Sequence, residues 1–116
     1  MDDKTFEMTM LYDFFGDLLT DKMKLYFDLY YNNDLSLSEI AEQTGISRQG
    51  VRDNIMRAQR QLREYEEKTG IVARFIKMQD DISSITHDLN RIIELSDGEV
   101  NSIAKKTLGK VCDLKG

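Results

Sequence analysis

Six residues in one short stretch, Arg48, Gln49, Arg52, Asp53, Arg57 and Arg60, have the types and spacing to act on a polyanion and its bases. A guanidinium can fork onto O6 and N7 of guanine, and a glutamine amide onto the edge of adenine. Arginines a turn or two further along a helix are better placed to neutralise phosphates. Val51, Ile55, Ala58 and Leu62 recur at i, i+4, i+7 and i+11, which puts them on one side of a helix and the six polar residues mostly on the other. Arg48, Gln49 and Arg52 fall in its first turn, where a recognition helix reaches base edges, and Arg57 and Arg60 fall within reach of phosphates. Asp53 shares the face, and its charge opposes phosphate. Ser36 and Ser47 each open a helix, where free amides and the helix dipole favour an anion. A solvated charged face and a surface kept for protein contact are the competing readings of the same residues.

The elements that must hold this face announce themselves by their caps. Ser36 and Glu39 have the spacing of a capping box, hydroxyl and carboxylate each taking one free amide. The short helix begun there ends at Gly45, because glycine enters the left-handed conformation at no steric cost. Ser47 caps a long second helix that runs to Lys68 and stops at Gly70. Two helices joined by a glycine-containing turn make a helix-turn-helix over residues 36–63, with Ala41 small at the contact, Ile46 at the corner and Val51 packing back. Upstream, Leu11, Phe14, Phe15, Leu18 and Leu19 predict a helix over 6–19. Thr20 caps another, carrying Met23, Tyr26, Phe27 and Tyr30 to a turn at Asn32, Asn33 and Asp34. Downstream, Phe75, Met78, Ile82, Ile85, Leu89 and Ile92 alternate steps of three and four, the seam of a coiled-coil-like helix that wants a partner. Ser96 and Glu99 predict a second capping box, opening a last helix striped by Val100, Ile103, Ala104, Thr107, Leu108 and Val111. The organisation expected is a helix-turn-helix domain over 1–70 and a helical hairpin over 71–116. That hairpin packs on the first part of the chain or, through residues 71–111, on a second copy.

Composition sets the class. The 116 residues contain no proline, so nothing forbids helix along nearly the whole chain, and an all-α fold is expected. A hydrophobic share of 41% with 32% charged residues is that of a globular protein. No apolar run approaches the roughly 18 residues of a membrane helix, so no membrane partner is expected. The start, Met1 to Glu7, lacks the basic and apolar regions of a secretory signal, and the single Cys112 cannot form an internal disulfide; both point to the cytoplasm. The net charge of −5 conceals a segregation: residues 1–46 carry ten acids against three lysines, whereas 47–74 carry seven bases against four acids. His87 and Cys112 lie on different predicted helices, no His/Cys cluster has zinc spacing, and Asp80-Asp81 is solvated surface. No catalytic residue, metal or cofactor is expected, and the chain is not expected to be an enzyme.

At these residues a resemblance emerges. Leu19 through Ala41, with Leu35-Ser36-Leu37-Ser38-Glu39-Ile40-Ala41, and then Gly45-Ile46-Ser47, Val51, Arg57, Ala58, Leu62 and Arg63, resemble the promoter-reading region 4 of sigma factors. That likeness covers residues 11–63 and implies a winged-helix-like DNA-binding domain. The chain is more closely similar to the YlxM-like family of small helix-turn-helix proteins, in Tyr30-Tyr31, Ser47-Arg48-Gln49, Asp53-Asn54-Ile55 and Tyr65-Glu66-Glu67-Lys68. This resemblance implies a DNA-binding regulatory protein connected with the signal recognition particle pathway, and it brings no catalytic residue. The alternative it allows is a protein-interaction adaptor that contacts RNA polymerase or components of the signal recognition particle without binding DNA. RNA in place of DNA stays open at this point.

Overall fold

A computed structural model describes the backbone of residues 3–115 and the side chains of residues 5–115. Among them all regular structure is helical: α1 (Asp3–Phe15), α2 (Asp21–Phe27), α3 (Leu37–Thr44), α4 (Arg48–Thr69), α5 (Ile71–Leu95) and α6 (Gly98–Leu114). The expected all-α class is the observed one. The chain forms two compact units, residues 1–72 and 73–116.

In the first unit α1 is shorter at its end than the stripe predicts, because a 3₁₀ turn over Gly16–Leu18 closes it. The covered residues are Met8, Leu11, Phe15 and Leu19, at i, i+3, i+7 and i+11, while Phe14 and Leu18 point to solvent. Thr20 caps α2 as its type demands, its Oγ1 accepting from the Met23 N–H at 3.2 Å. Beyond α2 a π-helical turn, Asp28–Asn32, puts one more residue into the turn than an α-helix holds. Tyr31 therefore comes round onto Phe27, ring centroids 4.4 Å apart, and Tyr30, expected on the core stripe, is turned outward against the edge of Tyr31.

α4 is the spine of this unit, packing on α1, α2 and α3. Its first half sends Val51 and Ile55 into a cluster with Tyr26 and Ile40. Its second half sends Ala58 and Leu62 into another with Met8, Leu11, Phe15, Leu19, Met23, Phe27 and Val72. Burying a side chain such as Val51 or Leu62 contributes roughly 1.5–3 kcal/mol, so the orientation of α4 about its axis is strongly determined.

In the second unit α5 and α6 are joined through Ser96 and Asp97. The expected capping box is absent: α6 begins at Gly98, with φ of 63°, so its N-cap is Asp97 and Glu99 falls one position too early to reach back. The Ser96 hydroxyl instead donates to the Ile92 carbonyl. Asn101 ties the junction, its Nδ2 donating to the carbonyls of Ile93 and Ser96 at 2.8 and 3.0 Å. The α5 seam divides into two columns. Ile82 is buried with Phe75 and Leu89 half-buried beside it, whereas Met78, Ile85 and Ile92 are exposed. On α6 the buried residues are Ala104 and Val111, as far past the turn as Leu89 and Ile82 lie before it, the register of an antiparallel hairpin.

Candidate nucleic-acid interface

The presentation of α4 depends on three residues before it. Gly45 ends α3 in the left-handed conformation, φ 78°, and returns its N–H to the Ala41 carbonyl at 2.9 Å. Ile46 then turns into the cluster of Tyr26, Ile40, Val51 and Ile55. Ser47 caps α4, its Oγ accepting from the Gly50 N–H at 3.0 Å. With Val51, Ile55, Ala58 and Leu62 inward, Arg48, Gln49, Arg52, Asp53, Arg57 and Arg60 are all exposed, as are Ser36 and Ser47.

Arg48, Gln49 and Arg52 are brought together around one shallow cleft whose fourth wall is Leu37 of α3. Arg52 also borders a second cleft with Tyr30, Leu37, Ile55, Met56 and Gln59. Gln49, Arg52, Met56 and Arg60 follow one another in steps of three and four, a continuous stripe down the helix. Arg63 prolongs it by three, is exposed, and was not among the expected site residues although the spacing could have found it. Arg57 lies one turn beyond Asp53, on the neighbouring side of the stripe. The outward position of Tyr30 had no signal in the sequence, because it follows from the π-helical turn.

Two polar contacts tune the face. The Gln49 Nε2 donates to Asp53 Oδ1 at 2.9 Å, so the carboxylate steadies the glutamine amide from one turn below. Among the described residues the ion pairs are Asp17–Lys24, Lys77–Asp81 and Arg91–Glu94, and none involves an arginine of α4. The first turn of α4 carries no acid. The two serine caps differ in consequence. At α3 the Ser36 N–H donates to Glu39 Oε1 at 3.0 Å, and that backbone bond, with the serine hydroxyl, holds the Glu39 carboxyl below its usual range. A phosphate at Ser36 would meet this carboxylate, whereas at Ser47 it would meet only amides and arginine. Among the described residues no group of His, Cys, Asp and Glu could hold a metal ion, and no helix is long and apolar enough to cross a membrane.

Known proteins share this arrangement of residues. Residues 2–99 match the model of the UPF0122 family, described as "Putative helix-turn-helix protein, YlxM / p13 like". A UPF0122 protein of Thermoanaerobacter sp. (strain X514) is 42% identical over 115 residues, 98% of each chain. One of Caldanaerobacter subterraneus subsp. tengcongensis is 51% identical over 85 residues, 73% of each chain. Another, of Bacillus cereus (strain AH187), is 49% identical over 77 residues, 66% of this chain and 70% of its own. The helix-turn-helix thus sits inside a stretch shared nearly end to end, and the chain belongs to the UPF0122 family of YlxM / p13-like helix-turn-helix proteins.

Proposed function

We propose that the chain binds duplex DNA through α4 and acts as a regulatory module. Arg48, Gln49 and Arg52 meet base edges, Arg57 and Arg60 meet phosphates, and the helix end at Ser47 adds a phosphate contact. One observation carries the reading: a row of exposed guanidinium groups, unpaired by any described carboxylate, lies on the solvent side of the second helix of a helix-turn-helix. The net charge of −5 is compatible with it. Distant carboxylates are screened beyond about 8 Å at physiological salt, and α4, with 22 residues, is about 33 Å long and displays its arginines locally. Duplex RNA fits less well, its major groove being too deep and narrow for a helix. The regulatory role and the connection with the signal recognition particle pathway rest on the family resemblance.

Fluorescence anisotropy with fragments of genomic DNA tests the proposal. Four contacting arginines give a slope of log affinity on log salt near −3 to −4 per subunit. Arg48→Ala/Arg52→Ala should abolish discrimination between fragments, and Arg57→Ala/Arg60→Ala should weaken all fragments alike and flatten the slope by about 2. A salt-independent signal in the wild type would overturn the reading. A second reading, an adaptor for RNA polymerase or a signal recognition particle component, is favoured by the apolar side of the cleft, where Met56 and Tyr30 are 43% and 37% exposed. It predicts that Met56→Asp abolishes binding to the purified partner while the DNA titration stays flat.

A further inference from the structure

We propose that the second unit is a homodimerisation element, and that two copies of α5 pair antiparallel about a twofold axis near Asp81. The α5 column at every seventh residue, Met78, Ile85 and Ile92, is 51%, 46% and 42% exposed, whereas in the adjoining column Ile82 is buried and Phe75 and Leu89 are half-buried. Isoleucines repeated at seven on a helix are the seam of a helix pair, and one chain covers only half of it. The charges beside the column identify the occupant. Four residues before Met78, Ile85 and Ile92 stand Arg74, Asp81 and Asp88, one rim column reading positive, negative, negative. Asp81 is neutralised within its own helix by Lys77, Nζ to Oδ2 3.1 Å. A twofold axis across the helices at Asp81 sets this rim alongside its own copy in reverse, so that Arg74 of each subunit meets Asp88 of the other. In the same register Met78 faces Ile85 of the second copy. A parallel pair, with its axis along the helices, would put the two rims on opposite sides and leave the charges unmatched. The rim is therefore self-complementary in one arrangement only, which is what an isologous interface requires.

The inference is independent of DNA binding, and its test contains no nucleic acid. Sedimentation equilibrium of the full chain should show association to twice the 13.5 kDa chain mass. Ile85→Asp, at a position exposed in the single chain, should raise the dissociation constant at least tenfold with an unchanged circular dichroism spectrum. Arg74→Glu should weaken association severalfold, and Arg74→Glu/Asp88→Arg should restore it, since the reversed pair is again complementary. A wild type that remains at 13.5 kDa throughout, whether because the face is idle or kept for a different protein, overturns the proposal. So does an Ile85→Asp dimer as tight as the wild type, or a double reversal no better than the single one.

Discussion

The Tyr12 phenol lies against Phe27, ring centroids 4.4 Å apart, and donates to Asp28 Oδ2 at 2.9 Å. Burial first, then the bond to Asp28 and its charge, push the phenol from 10.0 up to about 12. The folded state thus holds this proton more tightly than the unfolded chain, where an unperturbed tyrosine titrates at about 10. Its contribution to stability is complete below that value and lost as the pH climbs from there through the folded pKa. Urea unfolding of wild type and Tyr12→Phe at neutral and strongly alkaline pH checks this. The variant should be less stable by about 1 kcal/mol at neutral pH, one net hydrogen bond, and the gap should close or reverse at high pH. A gap that stays constant would mean that the phenol does not carry the effect. Asp28 is not left without a donor in the variant, because Asn32 Nδ2 reaches its other oxygen at 2.7 Å.

At the scale of the elements, two glycines that look alike in the sequence make opposite demands. Gly45 has φ of 78° and Gly109 lies inside α6, and a Cβ built on either meets nothing within 4 Å. Sterics are therefore equal, and backbone conformation alone decides the sign. Gly45→Ala should cost about 1–2 kcal/mol, the penalty of a left-handed L-residue, and Gly109→Ala should gain roughly 0.5–1 kcal/mol, the helix preference of alanine over glycine. Thermal unfolding monitored by circular dichroism reads both; a stabilising Gly45→Ala would contradict the turn geometry. The same local chemistry makes these helix ends legible in the sequence. Ser36, Gly45, Ser47 and Gly70 marked helix ends because a cap is a property of neighbouring residues, and all four sit at those ends. The arginine face followed from Val51, Ile55, Ala58 and Leu62, all buried, since 3.6-residue periodicity leaves no other side for it. What escaped depends on phase slips that no short pattern encodes. The π-helical turn exchanged Tyr30 for Tyr31, the 3₁₀ turn after Phe15 released Leu18, and the left-handed Gly98 moved the start of α6 past the box that Ser96 and Glu99 spelled.

For the whole molecule, the two proposals make a joint prediction that neither makes alone. Counterion release counts the phosphates neutralised by everything that binds in one event. If two chains joined through α5 both engage DNA, a fragment with two half-sites should show about twice the single-subunit slope, near −6 to −8. The Ile85→Asp variant, whose substitution lies outside the arginine face of α4, should bind the same fragment with the single-subunit slope and lower apparent affinity. The affinity difference arises because the second α4 arrives at the effective concentration set by the dimer and not at that of the bulk solution. Measuring the slope for both proteins on one fragment therefore separates the links: equal shallow slopes mean that the dimer contributes one reading helix, and equal steep slopes mean that the subunits load independently of α5. Only a steep wild type beside a shallow Ile85→Asp makes the apolar column of α5 the device that lets two acidic chains hold a polyanion together.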